Sequence, residues 1–395
     1  MASSWRTNSG AVRREAALFG LRRRGAAIAS SDGERSYGRP GAEMADPARE
    51  PEPEPEERLP FPWDPVPLTG ERLARMAAAF PDYREEGLAG FGPSGYVAMP
   101  DSKPFFEEYY NTPVHPGDIW VVTLPKCGTT WTQELVWLLQ NDCDFEGAKS
   151  MLMPDRYHFL EITGVTARSV REKIRDGEDP LSRRIFFDPI ESRPRPWFVK
   201  THLPLHMCPP KLLDTAKVVY IVRNPKDVCI SYYHHLHLYN EAAADLTLET
   251  FVDLFIDGLV TQLPFFPHVL EAWRQRHHPN MLFLFFEDLK KDLRGNIARV
   301  AEFLGKTPTD EQLDKLAEHL HFSNLKNNPW VNWEWISKSA WSTGDPNKKF
   351  MRKGKTGDWK NHFTPEMDRK MTGWMERELE GTGLSFVLDI PEEQQ

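Results

Sequence analysis

Residues 125–131 hold the side chains whose types and spacing best suit the binding of a phosphate group. The segment reads Pro125-Lys126-Cys127-Gly128-Thr129-Thr130-Trp131. Backbone N–H groups of a glycine-containing turn, the N-terminus of the helix after it and a lysine ammonium all attract an anion. A Walker loop needs two glycines five apart with a lysine after the second, whereas Lys126 precedes Gly128, the only glycine of the segment. The spacing predicts a phosphate-binding turn of another kind, and the alternative is an ordinary turn with a solvated lysine.

A strand and a helix must position this turn. Residues 119–123 form a short apolar run that is mostly β-branched, which is typical of a buried strand. Residues 124–129 contain a proline and a glycine and indicate the turn. Residues 130–140 carry apolar side chains at helical spacing. Trp131, at the start of this helix, is interpreted either as a stacking surface for a base or as a core anchor.

The rest of the chain repeats this alternation of strand and helix. Further strands are predicted at residues 197–202, 216–223 and 281–286, and further helices at residues 227–238 and 295–304. Alternating strands and helices indicate an α/β fold with a central parallel sheet flanked by helices. Ligands of such sheets bind at the carboxyl ends of the strands. We therefore expect a binding site where the polar residues after each strand meet.

The segments outside this alternation are less regular. We predict a helix at residues 71–80 with Thr69 as its cap, a strand at residues 96–99 and a helix at residues 103–110. Residues 141–195 are interpreted as helical stretches joined by an irregular connection.

Composition excludes several classes of protein. The net charge of −9 over 395 residues disfavours a nucleic-acid partner. No stretch reaches the roughly 18 consecutive apolar residues of a transmembrane helix, so stable membrane insertion is not expected. The four cysteines show no CxxC or CxxH spacing. We therefore expect free thiols, a reducing cytoplasmic location and no zinc site.

The N-terminal part has a different composition from the rest. Residues 1–42 are rich in Arg, Ala and Ser, and residues 43–59 include the run Pro-Glu-Pro-Glu-Pro-Glu-Glu. Neither stretch can bury much apolar surface. We predict that residues 1–59 form a disordered extension, first basic and then acidic, and that residues 60–395 form one domain. A mitochondrial transit peptide is the alternative for the basic part.

Two motifs resemble one known family. The segment at 125–131 is similar to the 5′-phosphosulfate loop of sulfotransferases that use 3′-phosphoadenosine 5′-phosphosulfate (PAPS). The distant segment Arg352-Lys353-Gly354-Lys355-Thr356-Gly357-Asp358-Trp359-Lys360 resembles the 3′-phosphate and dimer region of that family. The resemblance extends from Phe80 to Leu388 and is greatest to the cytosolic branch. It implies a P-loop-NTPase-like sulfotransferase fold.

The resemblance also implies an activity. The expected reaction moves a sulfuryl group from PAPS to a hydroxyl, or an amine, of a small apolar acceptor such as a phenol, steroid or alcohol, without a metal. His202 in Lys-Thr-His-Leu-Pro matches the family's catalytic base, and Lys126 and Lys200 match its electrostatic catalysts. The implied nucleotide-binding residues are Lys126, Cys127, Gly128, Thr129, Thr130, Trp131, Arg223, Ser231, Phe286, Phe322, Arg352, Lys353 and Gly354.

This chain departs from the family pattern at several positions. Phe286 replaces a common Tyr and Leu320 a common Thr, which removes polar contacts near the adenine. In the dimer motif, Pro365 and Arg369 stand where Val and Glu are usual. A homodimer formed through this degraded motif is therefore one alternative and a monomer the other. A nucleotide kinase with a divergent phosphate loop, or a nucleotide-binding protein without turnover, is the alternative function.

Two clusters of side chains have more than one interpretation. His234, His235 and His237 lack an acidic or Cys partner at ligand spacing, so we favour a helix face near the acceptor pocket over a metal site. The second cluster either packs in the core or gates an apolar acceptor; its members are Trp330, Trp333, Trp335 and Trp341.

Overall fold

The computed structural model describes residues 58–239, 241–335, 349–388 and 390 of the chain. Residues Leu59–Gln395 belong to one compact unit. The predicted N-terminal extension falls almost wholly outside the described residues, and so does Trp341. The disorder of the extension and its boundary at residue 59 therefore stay predictions.

Short strands and many helices alternate along the described residues. The strands are β1 Val66–Pro67, β2 Ala89–Phe91, β3 Tyr96–Ala98, β4 Ile119–Val122, β5 His158–Phe159, β6 Phe198–Thr201, β7 Lys217–Val222 and β8 Met281–Phe285. The α-helices in the first half are α1 Gly70–Ala79, α2 Lys103–Tyr110, α3 Thr129–Gln140, α4 Phe145–Ala148, α5 Met153–Arg156, α6 Ile162–Val165, α7 Arg168–Asp176 and α8 Pro180–Phe187. Those in the second half are α9 Leu212–Thr215, α10 Pro225–Leu238, α11 Leu248–Ile256, α12 Phe265–Arg274, α13 Phe286–Lys291, α14 Leu293–Leu304, α15 Asp310–His319, α16 Phe322–Asn327 and α17 Pro365–Leu379. Single 3₁₀ turns occur at Pro81–Tyr83, Pro100–Ser102, Ile190–Ser192, Leu205–Met207 and Asp358–Asn361.

The central sheet is parallel, as predicted. Five strands lie in the order β5-β6-β4-β7-β8, and every neighbouring pair is parallel. Val122, the last residue of β4, pairs with Thr201 of β6 on one side and with Tyr220 of β7 on the other. The residues that follow these three strands therefore emerge at one edge of the sheet.

Alternating side chains of the sheet enter two separate cores. Trp120 and Val122 of β4 belong to a core cluster that includes residues of α10, α11, α12 and α17. Ile119 and Val121 of the same strand face a second cluster, which includes residues of α3, α14 and α15. Because both faces are covered, the strands read as nearly continuous apolar runs.

Several predicted boundaries need correction. The apolar run 281–286 is not all strand, because Phe286 already begins α13. The short strand β2, which pairs with β1 and β3, was not predicted. Thr69 occupies the N-cap position of α1, but its side chain makes no capping hydrogen bond. No helix among the described residues has the length and apolar composition needed to span a lipid bilayer.

Candidate active site

The predicted phosphate-binding turn joins β4 to α3. Its backbone bends sharply, since φ is 69° at Lys126 and 105° at Gly128. A Cβ atom added at Gly128 would lie 2.8 Å from the ring of Phe286. Both the left-handed backbone and this close approach require a glycine. The turn brings the lysine to the carboxyl end of the sheet and the first N–H groups of α3 beside it.

One cavity of about 310 Å³ gathers nearly all the predicted residues. Its walls include the three predicted catalytic residues and twelve of the thirteen predicted nucleotide-binding residues, with Lys126 in both sets. They are His202, Lys126, Lys200, Gly128, Thr129, Thr130, Trp131, Arg223, Ser231, Phe286, Phe322, Arg352, Lys353 and Gly354. Cys127 is the exception among the predicted residues. Its side chain is fully buried in the first core cluster, so only its backbone remains available to a ligand at this turn.

His202 follows β6 and is held in one orientation. Its Nδ1 lies 2.5 Å from the carbonyl oxygen of Thr123, which can only accept a hydrogen bond. Nδ1 therefore carries the proton, and Nε2 is left as an acceptor. Burial, together with the positive charge of Lys200, lowers the pKa of His202 well below its usual range. The ring is neutral at neutral pH and can receive a proton at Nε2.

Lys126 and Lys200 are largely buried cations that make no ion pair with a described carboxylate. Burial and the positive charge of Lys200 lower the pKa of Lys126 to about 7. Burial lowers the pKa of Lys200 to about 8, although Glu161 acts in the opposite direction. Lys200 Nζ lies 3.5 Å from the ring centre of Phe159. Cations that lack a counterion in a low-dielectric site attract an anionic ligand.

Sequence reasoning missed Glu161, which lies beneath these groups. Its Oε1 accepts a 2.5 Å hydrogen bond from the backbone N–H of His202, and its Oε2 accepts one of 2.7 Å from the Thr201 hydroxyl. Thr201 Oγ1 in turn accepts from the N–H of Leu203. Burial raises the pKa of Glu161 to about 7. Its partners lie about 40 positions away in the sequence, so no local pattern indicates this contact.

A second cationic region lies at the start of α10. Arg223 Nη2 donates to the carbonyl of Lys355 at 2.8 Å and lies 3.7 Å from Asp227 Oδ2. Ser231 is one helical turn after Asp227 and lines the same cavity. Asp227 also accepts hydrogen bonds from the backbone N–H groups of Gly357 and Trp359, at 2.8 and 3.1 Å. The Asp227 carboxylate thereby holds the C-terminal segment at residues 357–359 beside the site.

Arg352 and Lys353 are not free cations. Arg352 Nη2 lies 2.6 Å from one oxygen of Asp358, and Lys353 Nζ lies 2.7 Å from the other. Burial favours the neutral acid, but hydrogen bonds from Lys353 and Arg352 hold the pKa of Asp358 well below its usual range. Asp358, which belongs to the same motif, therefore orders the side chains of Arg352 and Lys353. Both cations are thereby held at the wall of the cavity.

Aromatic side chains form the wall beside this region. Trp131 packs edge-on against Phe286, with ring centres 5.3 Å apart, and also lines the cavity. Lys290 Nζ lies 5.8 Å from the ring centre of Trp131 and 5.9 Å from that of Phe322. These rings suit a flat heterocycle. Both interpretations of Trp131 agree with its position, because its ring also packs against the second core cluster.

The other part of the cavity is mostly apolar. We call it the apolar lobe, and it is lined by Phe159, Ile162, Val165, Ala167, Val170 and Phe186. Polar groups border it at Tyr83, Tyr232, His235, Tyr239 and Glu241. Trp333 and Phe350 also line the cavity, with ring centres 5.8 Å apart. These aromatic groups border the space between the cations and the apolar lobe.

The three histidines of α10 point to different surroundings. His235 lines the cavity, and its Nδ1 lies 3.3 Å from Lys126 Nζ. His234 packs against His362 and His237 against Tyr233. In the part of the chain that the structure describes, no group of three His, Cys, Asp or Glu residues could hold a metal ion.

Comparison with known proteins identifies the family. A model of the sulfotransferase domain matches residues 116–383, more than half of the chain. The chain belongs to the sulfotransferase family. Sulfotransferase 1E1 of Bos taurus is 32% identical to this sulfotransferase over 322 residues, which are 80% of this chain and 100% of the relative. The predicted family and enzyme class, a PAPS-dependent sulfotransferase, are confirmed, and the kinase alternative is not supported.

Two solved structures share the fold. Retinol dehydratase in complex with androsterone and the inactive cofactor PAP has a TM-score of 0.75 and 38% identity, over 83% of this chain and 99% of that chain. Retinol dehydratase in complex with retinol and PAP has a TM-score of 0.77 and 37% identity, over 83% of this chain and 100% of that chain. The predicted sulfotransferase fold is confirmed.

Substitution of Gly354 tests the nucleotide end of the site. Gly354 has φ of +64°, and an added Cβ atom would lie 2.1 Å from the Phe322 ring. Gly354→Ala should weaken the binding of 3′-phosphoadenosine 5′-phosphate by roughly tenfold or more, since such overpacking costs about 1–3 kcal/mol. Gly305→Ala is the matched control, because φ is +74° there but nothing lies within 4 Å. Equal affinities of the two variants in calorimetric titration would contradict this geometry.

Substitution of Glu161 tests its role as a positioning residue. Glu161→Ala removes the acceptor for the His202 N–H and the Thr201 hydroxyl, so turnover should fall on the order of a hundredfold through misplacement of the ring. Nucleotide affinity, measured on the same folded sample, should change much less. Glu172→Ala, at an exposed position of α7, is the control. A parallel loss of turnover and nucleotide affinity would show that Glu161 only maintains the fold.

Proposed function

We propose that this sulfotransferase transfers the sulfuryl group of PAPS to the hydroxyl of an elongated, apolar alcohol. The observation that carries the proposal is the single cavity in which the cations, the neutral His202 and the apolar lobe meet. Retinol dehydratase, which shares the fold, holds retinol or androsterone in its solved structures. Both are elongated and mainly apolar molecules with one hydroxyl, and the apolar lobe suits such a shape.

The nucleotide would lie at the carboxyl ends of the strands. Lys126 and the N–H groups at the start of α3 would bind the 5′-phosphate, while Arg223, Ser231 and Arg352 would bind the 3′-phosphate. The rings of Trp131 and Phe322 would face the adenine. PAPS supplies the sulfuryl group and leaves as 3′-phosphoadenosine 5′-phosphate (PAP).

The chain's own contribution is positioning, proton transfer and charge. As the acceptor oxygen forms its bond to sulfur, His202 Nε2 would receive the hydroxyl proton. Negative charge grows on the departing 5′-phosphate oxygen, and Lys126 and Lys200 would stabilise it. Both lysine side chains are in place before the ligand binds. Little reorganisation is then needed at the moment of transfer.

We propose a cytoplasmic location, and residues 1–59 as an extension to a domain of residues 60–395. The four cysteines are free and buried, which agrees with a reducing compartment. The dimer motif lies at the start of α17, where Thr364 is the N-cap and Pro365 the first residue. A homodimer through this segment remains the second candidate for the oligomeric state, beside a monomer.

His202→Ala tests the proposed reaction. Removal of the general base should lower turnover of androsterone or retinol by about 10²–10⁴-fold, measured as PAP formed from PAPS, while PAP affinity is retained. His277→Ala, at an exposed position, should behave as the unsubstituted enzyme. Sulfation that persists in His202→Ala would remove His202 as the base. Turnover of small phenols alone would overturn the elongated alcohol as acceptor.

The lowered lysine pKa values predict proton uptake when PAP binds. In the free enzyme at pH 8, Lys126 is mostly neutral and Lys200 is partly so, because their pKa values are about 7 and about 8. Phosphate groups favour the charged lysines, so binding should take up about one proton at this pH. PAP affinity should therefore fall as the pH rises above about 7.

Calorimetry in two buffers of different ionisation enthalpy measures this uptake directly. At pH 8 the phosphates of PAP are already ionised, so the lysines dominate the signal. Lys126→Met should reduce the uptake, while Lys149→Met, at an exposed position, should leave it unchanged. Absence of proton uptake would mean that the lysines are already charged in the free enzyme.

A further inference from the structure

Glu241 places a carboxyl group in the wall of the cavity beside the apolar lobe. It follows the C-terminal end of α10, and its backbone N–H donates to the carbonyl of Leu236 at 2.9 Å. This bond fixes the turn that presents the side chain. Among the described residues that line the cavity, Asp82 is the other acidic one, and it is exposed, whereas Glu241 is partly buried among aromatic side chains.

The Glu241 carboxyl has few partners. Its Oε2 accepts one long hydrogen bond, of 3.4 Å, from the hydroxyl of buried Tyr83. Oε1 accepts no hydrogen bond from the described residues, and no described Lys or Arg pairs with the carboxyl. Burial raises the pKa of Glu241 to about 7, and the nearby negative charge of Asp82 adds to the rise. A carboxyl with a single long hydrogen bond in such a place is costly, whereas both oxygens of Glu161 accept hydrogen bonds.

The two ends of the cavity therefore differ in charge. Lys126 and Lys200 lie at the transfer end, beside His202. His235 contacts Lys126 at 3.3 Å and precedes Glu241 by six positions along the chain. Glu241 bonds instead to Tyr83, and no hydrogen bond or ion pair among the described residues joins it to Lys126, Lys200 or His202.

We propose that Glu241 binds a second hydrogen-bond donor, a hydroxyl or an ammonium group, at the end of the acceptor remote from the reacting hydroxyl. This inference rests on the proposed function, because it assumes that the apolar lobe holds the acceptor. Such a donor would complete the bonding of Oε1. The sulfotransferase would then select elongated acceptors that carry a donor at both ends over acceptors with one hydroxyl alone.

Two pairs of acceptors isolate this contact. Estradiol and estrone share a ring system and a phenolic hydroxyl, but the remote group is a hydroxyl in estradiol and a carbonyl, which cannot donate, in estrone. Tyramine and 4-ethylphenol provide the corresponding pair for an ammonium group. For each pair we would measure affinity for the PAP-loaded enzyme by calorimetry and kcat/KM with PAPS, with the sulfated position checked by mass spectrometry.

The expected result is a preference of about tenfold for the donor in at least one pair, as for a hydrogen bond to a charged group. Glu241→Ala should abolish that preference. Glu241→Gln, which keeps the shape, should reduce the preference for the ammonium group most. Glu249→Gln, an exposed change of the same type, should leave both ratios as they are. A preference for the hydroxyl pair or for the ammonium pair identifies which donor the subsite takes.

Other outcomes overturn the proposal. It fails if neither pair shows a preference, if the preference survives both Glu241 variants in folded protein, or if no member of either pair binds. Binding to the PAP-loaded enzyme does not depend on turnover. A donor preference in binding without sulfation of any acceptor would therefore overturn the proposed function while it supports the role of Glu241.

Discussion

The constraint on which the rest of the site depends is the crowding of positive charge at one edge of a parallel sheet. Three strands end side by side, and a cation follows or closes each of them, at Lys126, Lys200 and Arg223. Burial depresses the pKa values of both lysines, and the charges of Lys200 and Arg223 lower that of Lys126 further. The empty protein therefore holds an unfavourable arrangement, and an anionic ligand relieves it. Attraction for a highly charged nucleotide follows from these buried positive charges.

The same burial prepares the proposed proton acceptor. His202 would be a poor base if it were charged, and burial, together with the charge of Lys200, keeps it neutral. The Thr123 carbonyl selects the tautomer, while Glu161 holds the backbone of the strand end from below. Glu161 thus supports the proposed base through the main chain, and its negative charge favours the charged form of Lys200. Burial of the site thus keeps the imidazole neutral and lowers the pKa values of both lysines.

Much of this arrangement was predictable from the sequence. The β-branched runs located the sheet, and the order of Lys126, Gly128 and the threonines located the turn. Glu161 and Glu241 escaped detection because their partners are distant in the chain and acidic residues are common. The end of β8 was misplaced because Phe285 and Phe286 are equally apolar on either side of the boundary. Cys127 was assigned to the ligand by position in the motif, whereas its side chain turns into the core.

The helix α10 serves both halves of the cavity. Its first turns carry Asp227, which anchors the C-terminal segment, and Ser231 on the proposed nucleotide side. Its later turns present Tyr232 and His235 to the proposed acceptor side. In the proposed arrangement, one helix lines both the donor site and the acceptor site. A change of acceptor range through this helix must then leave its first turns undisturbed.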